Sequence, residues 1–224
     1  MIRMVVFDMA GTTVNEDNIV YKTLLQAINQ AGFNFTLGQV LAEGAGKEKL
    51  QAIKSILSVY AEKEDDKLSD NIYQNFIPLL AKAYDAAEIL PQKNAREVFK
   101  ALKEKDILVV LNTGYNSATA NTLINRLAWE KGVDYDALIT ASEVKKGRPA
   151  PDMIWLAMEY LDITDPSEII KVGDSIIDIE EGQNAGCALN IGITTGAHSI
   201  EQLRSAKPDY IIHDLLELLH ILRD

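Results

Sequence analysis

Residues 4–13 read Met4-Val5-Val6-Phe7-Asp8-Met9-Ala10-Gly11-Thr12-Thr13. An apolar run leads straight into a carboxylate and then a glycine-containing loop. The run predicts a buried strand over 2–7 rather than a signal peptide. A carboxylate at its end is desolvated on one side and open to ligand on the other. It is able to attack phosphorus and to hold a metal with its second oxygen. A lone aspartate in such a place is commonly only a turn or helix cap, so the rest of the sequence must decide.

Working outward, the same rhythm recurs after about residue 90. Short apolar runs at 107–112, 137–140, 169–172, 188–193 and 209–212 predict further strands. Helical patterns cover 93–105, 117–131, 152–161, 177–185, 200–205 and 215–222. This alternation implies βαβ units and a parallel sheet buried on both faces. The stretch 15–88 differs. Val20, Leu24, Leu25, Ile28 and Ala31 recur at helical spacing, as do Leu50, Ile53, Ile56, Leu57 and Tyr60, and then Ile72, Phe76, Leu79, Leu80 and Ala83. The fold expected is α/β, a doubly wound Rossmann-like parallel sheet with an inserted all-helical cap. Residues 1–15 and 90–224 form the core, and 16–89 form the cap.

Composition narrows the function classes. With 224 residues and 47% hydrophobic content, the chain can bury one sizeable core, or one core and a small accessory domain. A net charge of -11 repels nucleic-acid phosphates and anionic membranes, so neither is an expected partner. Cys187 is the single cysteine, so an internal disulfide is impossible and an oxidising compartment is not required. No apolar run is long enough to span a membrane. A cytoplasmic location is the default expectation.

Three further sites fall at predicted strand ends, where open α/β sheets bind ligands. Thr113-Gly114-Tyr115-Asn116 offers a hydroxyl and unhindered N–H groups before a helix, which suits an anion. Lys145-Lys146-Gly147-Arg148-Pro149 places cations just before a helical segment, where they oppose the helix dipole unless an anion is near. Gly173-Asp174-Ser175-Ile176-Ile177-Asp178 holds two carboxylates four residues apart, which share a face if the segment is helical. Hard carboxylate oxygens suit Mg²⁺. Each segment alone also reads as a cap, a junction or a solvated loop. Asp8, Thr113-Gly114 and Gly173-Asp174 are expected to converge on one crevice.

The joint pattern resembles the haloacid dehalogenase superfamily, across essentially the whole chain. The resemblance implies that Asp8 is the nucleophile, with Thr113, the Gly114 N–H and Arg148 holding phosphoryl oxygens. Arg148 takes the place of the conserved cation. Asp8, the Ala10 carbonyl and Asp174 hold Mg²⁺, with Asp178 as partner to Asp174. Ordinary phosphatases of the superfamily carry a second aspartate two residues after the nucleophile, which here is Ala10, a residue without proton chemistry.

Asp8-Met9-Ala10-Gly11-Thr12-Thr13, Thr113-Gly114-Tyr115 and Gly147-Arg148-Pro149 are similar to the phosphonoacetaldehyde hydrolase branch. That branch uses a cap lysine that forms a Schiff base, so carbon leaves phosphorus as an enamine and Ala10 becomes sensible. Its glycine–x–x–lysine motif is matched by Gly46-Lys47-Glu48-Lys49. Lys49 is the better candidate, since Leu50 and Ile53 then fall in the apolar positions after it, but Gly44 and Lys47 share the spacing and leave Lys47 as the second. Both lysines also read as solvated helix surface. Two positions depart from the branch: Ala52 stands where a histidine is usual, and Met9 where an aromatic residue is common.

The activity implied is hydrolysis of a small phosphonate through an aspartyl-phosphate on Asp8. The alternatives are a phosphate monoester phosphatase on the same core, similar to phosphoglycolate phosphatases, and a non-catalytic phosphoryl-binding module. The partner expected is a small-molecule phosphonate or phosphate ester, with a homodimer through the cap as the candidate assembly. A nucleotide-binding loop at Gly44-Ala45-Gly46-Lys47 is set aside, since its first glycine would fall on Leu41 and its hydroxyl on Glu48.

Overall fold

The computed structural model describes residues 1–222, so the last two residues of the 90–224 core segment lie outside the described residues. In chain order the elements are β1 (Met4–Asp8), β2 (Val14–Asn15), α1 (Ile19–Gln30), α2 (Leu37–Gly44), α3 (Lys49–Ala61), α4 (Asp66–Ala86) and β3 (Leu90–Pro91). There follow α5 (Ala95–Lys103), β4 (Leu108–Thr113), α6 (Ser117–Arg126), β5 (Ala137–Thr140) and α7 (Asp152–Tyr160). The chain continues through β6 (Ile169–Gly173), α8 (Ile176–Ala185), β7 (Leu189–Ile193), α9 (Ile200–Ser205), β8 (Tyr210–Ile212) and α10 (Glu217–Ile221).

Six strands form one sheet in the order β5-β4-β1-β6-β7-β8, with every neighbouring pair parallel. Both faces are covered, and β1 shows why. Val5 and Phe7 enter one apolar cluster with Val98, Phe99 and Leu102 of α5, while Met4 and Val6 enter another with Met153, Ile154 and Ala157 of α7. Successive side chains of a strand point to opposite faces, so an unbroken apolar run buries both.

Between β2 and β3 the chain forms only helices. In this cap α1 packs on α4 and α2 on α3, and the interior is built from Leu24, Ile28, Ile53, Ile56, Ile72 and Phe76. The short antiparallel pair β2–β3 ties the two crossings between core and cap together. Among the described residues no helix is long and apolar enough to cross a membrane.

Three local readings differ from expectation. α2 did not stand out by periodicity because it is only eight residues long and contains Gly38 and Gly44. Its signal was a capping box, Thr36 and Gln39 bonding reciprocally to each other's backbone N–H. α6 stops at Arg126 rather than running to 131. Ala128 turns left-handed at φ 49°, and Trp129 is carried inward against Phe99, ring centroids 5.3 Å apart. Burying the indole outweighs continuing the helix. Ala31 lies just past the end of α1 and is exposed.

Candidate active site

The convergence expected of the strand ends is observed, and the sheet order explains it. β4, β1 and β6 are neighbours, with Asp8 opposite Asn112 and Phe7 opposite Val172. Asp8, Thr113 and Asp174 therefore emerge side by side although 166 residues separate the first from the last. All three are buried. One oxygen each of Asp8, Asp174 and Asp178 lies within 4.8 Å of the others.

Asp174 and Asp178 do not share a helix face. Asp174 stands in the turn before α8, Ser175 is the N-cap, and Asp178 folds back to it in a capping box. Ser175 Oγ donates to Asp178 Oδ2 at 2.5 Å. The cap brings the two carboxylates together where helical spacing was expected to.

Arg148 is not a solvated cation of a basic loop; it is among the largest fully buried side chains. Nη1 donates to Asp8 Oδ1 at 2.6 Å and lies 3.0 Å from Asp178 Oδ1. Nε donates to Glu181 Oε2 at 2.9 Å, and Nη2 to the backbone and side-chain oxygens of Asn112. Four of these contacts are hydrogen bonds and the contact with Asp178 is an ion pair. Arg148 thus orients Asp8 within the protein, at the crevice where the sequence expects it to meet phosphoryl oxygens.

Lys171, in the middle of β6, completes the layer behind it. Its ammonium is 2.8 Å from Asp178 Oδ1, 3.0 Å from Asn112 Oδ1 and 3.3 Å from Glu181 Oε2. Burial pushes the Asp178 carboxyl up, but Arg148 and Lys171 outweigh it and hold it at about 2. Burial and the neighbouring Asp178 raise Asp8 despite Arg148.

Asp174 stands apart from these cations. Its Oδ2 accepts from the Ala197 N–H at 2.6 Å and its Oδ1 from Thr12 Oγ1 at 3.4 Å, and it forms no ion pair among the described residues. Burial, followed by the charges of Asp8 and Asp178, lifts its pKa well above the carboxylate range. With all four ionised, Asp8, Asp174, Asp178 and Glu181 would exceed the two buried cations by two negative charges in low dielectric, which is why burial and repulsion raise Asp8 and Asp174. A divalent cation on hard oxygen ligands would offset that excess and favour the ionised forms. Asp8 and Asp174 are the carboxylates available to it. The Ala10 carbonyl accepts no hydrogen bond among the described residues and is available as well. Asp178, saturated by Ser175, Arg148 and Lys171, serves as counter-charge.

The cap closes directly on this crevice. A Cβ on Gly114 would stand 2.7 Å from the Gly46 carbonyl and 2.9 Å from that of Lys47, so the cap loop rests on the Gly114 backbone. Gly46 itself, at φ +74°, turns tightly against Ser175, with no space for a side chain. Thr113 Oγ1 accepts the Tyr115 N–H at 3.2 Å, so its hydroxyl remains beside the loop.

The loop also separates the two lysines. Lys47 Nζ donates to Ser55 Oγ at 2.7 Å, lies 3.7 Å from Glu43, and so points away from the crevice. Lys49, one of the two candidate lysines, is buried. Its Nζ donates to the Lys47 carbonyl at 2.6 Å and lies 5.3 Å from the centroids of both the Tyr21 and Tyr115 rings. Burial lowers its pKa to about 8, with Glu48 and Asp8 pulling the other way.

Reading of the sequence missed Lys171, Asn112 and Glu16 as parts of the site. A lysine inside the apolar run 169–172 was a signal, since a strand buried on both faces holds a charge only where partners await it. Glu16 is buried beside Tyr84 and gave no such signal.

Comparison with known proteins agrees with this geometry. A family model described as haloacid dehalogenase-like hydrolase matches residues 2–186. The phosphonoacetaldehyde hydrolase of Vibrio parahaemolyticus is 34% identical over 198 residues, 83% of this chain and 72% of that protein. That of Latilactobacillus sakei is 28% identical, over 99% of this chain and 95% of its own length. In a bifunctional phosphonoacetaldehyde hydrolase/aminoethylphosphonate transaminase of Clostridioides difficile, at 30% identity, the match spans 30% of the protein. Among solved structures, a phosphonoacetaldehyde hydrolase-like protein from Oleispira antarctica superposes with a TM-score of 0.83 at 23% identity, covering 100% of this chain and 92% of the other.

Proposed function

The chain belongs to the haloacid dehalogenase-like hydrolases, and from that premise we propose that it cleaves the carbon–phosphorus bond of a small phosphonate aldehyde of the phosphonoacetaldehyde type. The single observation that carries this reading is the buried Lys49 amine, walled by Tyr21 and Tyr115. A lysine there serves imine formation, because burial favours the neutral nucleophilic form.

The chemistry proposed begins with the Lys49 amine adding to the aldehyde carbon, and water leaves to give the protonated imine. Thr113 and the Gly114 N–H bind the phosphonate oxygens. Asp8 Oδ attacks phosphorus while the phosphorus–carbon bond breaks, and the departing electron pair passes into the carbon–carbon bond and on to the imine nitrogen. The products are an aspartyl-phosphate and an enamine. The enamine carbon then takes a proton, and water releases the aldehyde and restores Lys49. A second water cleaves the aspartyl-phosphate to free phosphate and Asp8. Mg²⁺, held by Asp8, Asp174 and the Ala10 carbonyl, supplies charge compensation to the phosphoryl oxygens. Because the leaving group is an enamine, no proton is needed from position 10, which fits Ala10.

Phosphate release from phosphonoacetaldehyde, set beside phosphoglycolate and other phosphomonoesters with and without Mg²⁺, tests the reading. Mg²⁺-dependent turnover of the phosphonate is expected to dominate. Turnover confined to monoesters would replace it with the phosphatase alternative.

A further inference from the structure

Lys49 does not stand alone in its chamber. The Tyr115 hydroxyl, at the edge of the ring that covers Lys49, lies 2.8 Å from the Tyr84 hydroxyl. Tyr84 in turn donates to Glu16 Oε2 at 3.1 Å, and the same oxygen accepts the Val20 N–H at 3.0 Å. The three residues come from separate parts of the fold. Glu16 follows β2 at one crossing into the cap, Tyr84 lies in the last turn of α4 at the other, and Tyr115 belongs to the core loop after β4. All three are buried. The proposed steps use none of Glu16 and Tyr84, yet burying a carboxylate is costly without a purpose or a partner.

We propose that Glu16 is a positioning residue for Lys49, acting through the hydrogen-bonded chain Glu16–Tyr84–Tyr115 that joins hinge, cap and core. The proposal rests on the reading of Lys49 as the imine-forming amine. Tyr115 covers the amine, the Tyr84 hydroxyl holds that of Tyr115, and Glu16 anchors Tyr84 from behind. The carboxylate also bears on the charge of Lys49. Burial raises the Glu16 pKa to about 7, while the Val20 N–H, the Tyr84 hydroxyl, Lys49 and Lys22 favour its ionised form. Lys49 in turn faces Glu48, Asp8, Arg148 and Glu16. An ionised Glu16 therefore adds to the charges that favour the protonated form of Lys49, and a neutral one withdraws that contribution. A polar cavity of about 100 Å³ lies beside Glu16, lined also by Gly11, Asn15, Asp17, Asn18 and Thr195. Ala52, on the same helix as Lys49, is fully buried and brings no titratable group to the amine.

The test reads Lys49 directly and needs no turnover. Full-length protein is treated with limiting acetaldehyde and cyanoborohydride across a pH series, and ethylation at Lys49 is followed by peptide mass spectrometry, with exposed Lys100 as internal reference. Glu16→Gln removes the negative charge, so Lys49 labelling at pH 7 is expected to rise about threefold over wild type. Tyr84→Phe removes the donor that favours ionised Glu16, so it shifts the profile in the same direction. Glu16→Asp retains the charge and is expected to restore the wild-type profile. A Lys49 profile unchanged in both Glu16→Gln and Tyr84→Phe overturns the proposal; should Glu16→Gln not fold, Tyr84→Phe decides alone. Failure of the two readings is separable. Phosphonate turnover with no shift in labelling sinks the role of Glu16 only, and a shift without phosphonate turnover sinks the imine reading only.

Discussion

Arg148 Nη1 lies 2.6 Å from Asp8 Oδ1, with both side chains buried. The cation that the sequence offers for the substrate also holds Asp8 in place. Truncating it leaves Asp8, Asp178 and Glu181 without their guanidinium. Arg148→Met is expected to destabilise the fold by about 3–5 kcal/mol, because breaking a buried pair strands its partners. Denaturant unfolding measures this. A loss below about 1 kcal/mol, the scale of an exposed pair, contradicts the assignment.

Asp174 carries buried charge without a cation. Asp174→Asn is expected to raise the melting temperature in chelator, because it removes repulsion from Asp8 and Asp178. The same variant should lose both the stabilisation that Mg²⁺ gives the wild type and its turnover. Thermal scans with and without Mg²⁺ check both signs. Wild-type melting insensitive to Mg²⁺ would refute the metal reading.

Gly114 is where cap and core meet most closely. The Cβ of Gly114→Ala would stand 2.7 Å from the Gly46 carbonyl, a backbone atom that cannot swing aside. The cap is expected to sit further from the core. Both kcat and KM should worsen, and cleavage by protease at the cap loop should quicken. Unaltered kinetics and proteolysis would show that closure at this contact is dispensable.

The amine of Lys49 must be neutral to attack. Its pKa is lowered to about 8, so its neutral fraction grows as pH rises toward that value. Below pH 8 the rate of adduct formation with an aldehyde is expected to climb about tenfold per pH unit and then level off. A profile still rising through pH 9 and 10 would mean an ordinary surface lysine.

The sheet was legible because its strands are short apolar runs spaced by helical patterns, and the three adjacent strand ends placed Asp8, Thr113 and Asp174 together. The end of α6 was not legible, since only the packing of Trp129 on Phe99 stops it. Local spacing likewise favoured Lys49 without excluding Lys47. Their difference arises where the cap loop meets Gly114 and turns one lysine toward Ser55 and the other under two tyrosines. The bonds of Arg148 to Glu181, Asn112 and Asp8 were not legible, because these partners reach it only in the folded chain. Glu16 was silent for the same reason: its partners Tyr84 and Tyr115 lie 68 and 99 residues away in sequence.

Borohydride reduction in the presence of phosphonoacetaldehyde tests the central claim most directly. Tryptic mapping is expected to find the reduced adduct on Lys49, absent from Lys47 and from a Lys49→Met variant. Absence of any adduct on Lys49, with Mg²⁺-dependent hydrolysis of phosphomonoesters intact, would contradict the imine mechanism and leave Asp8 serving a phosphatase.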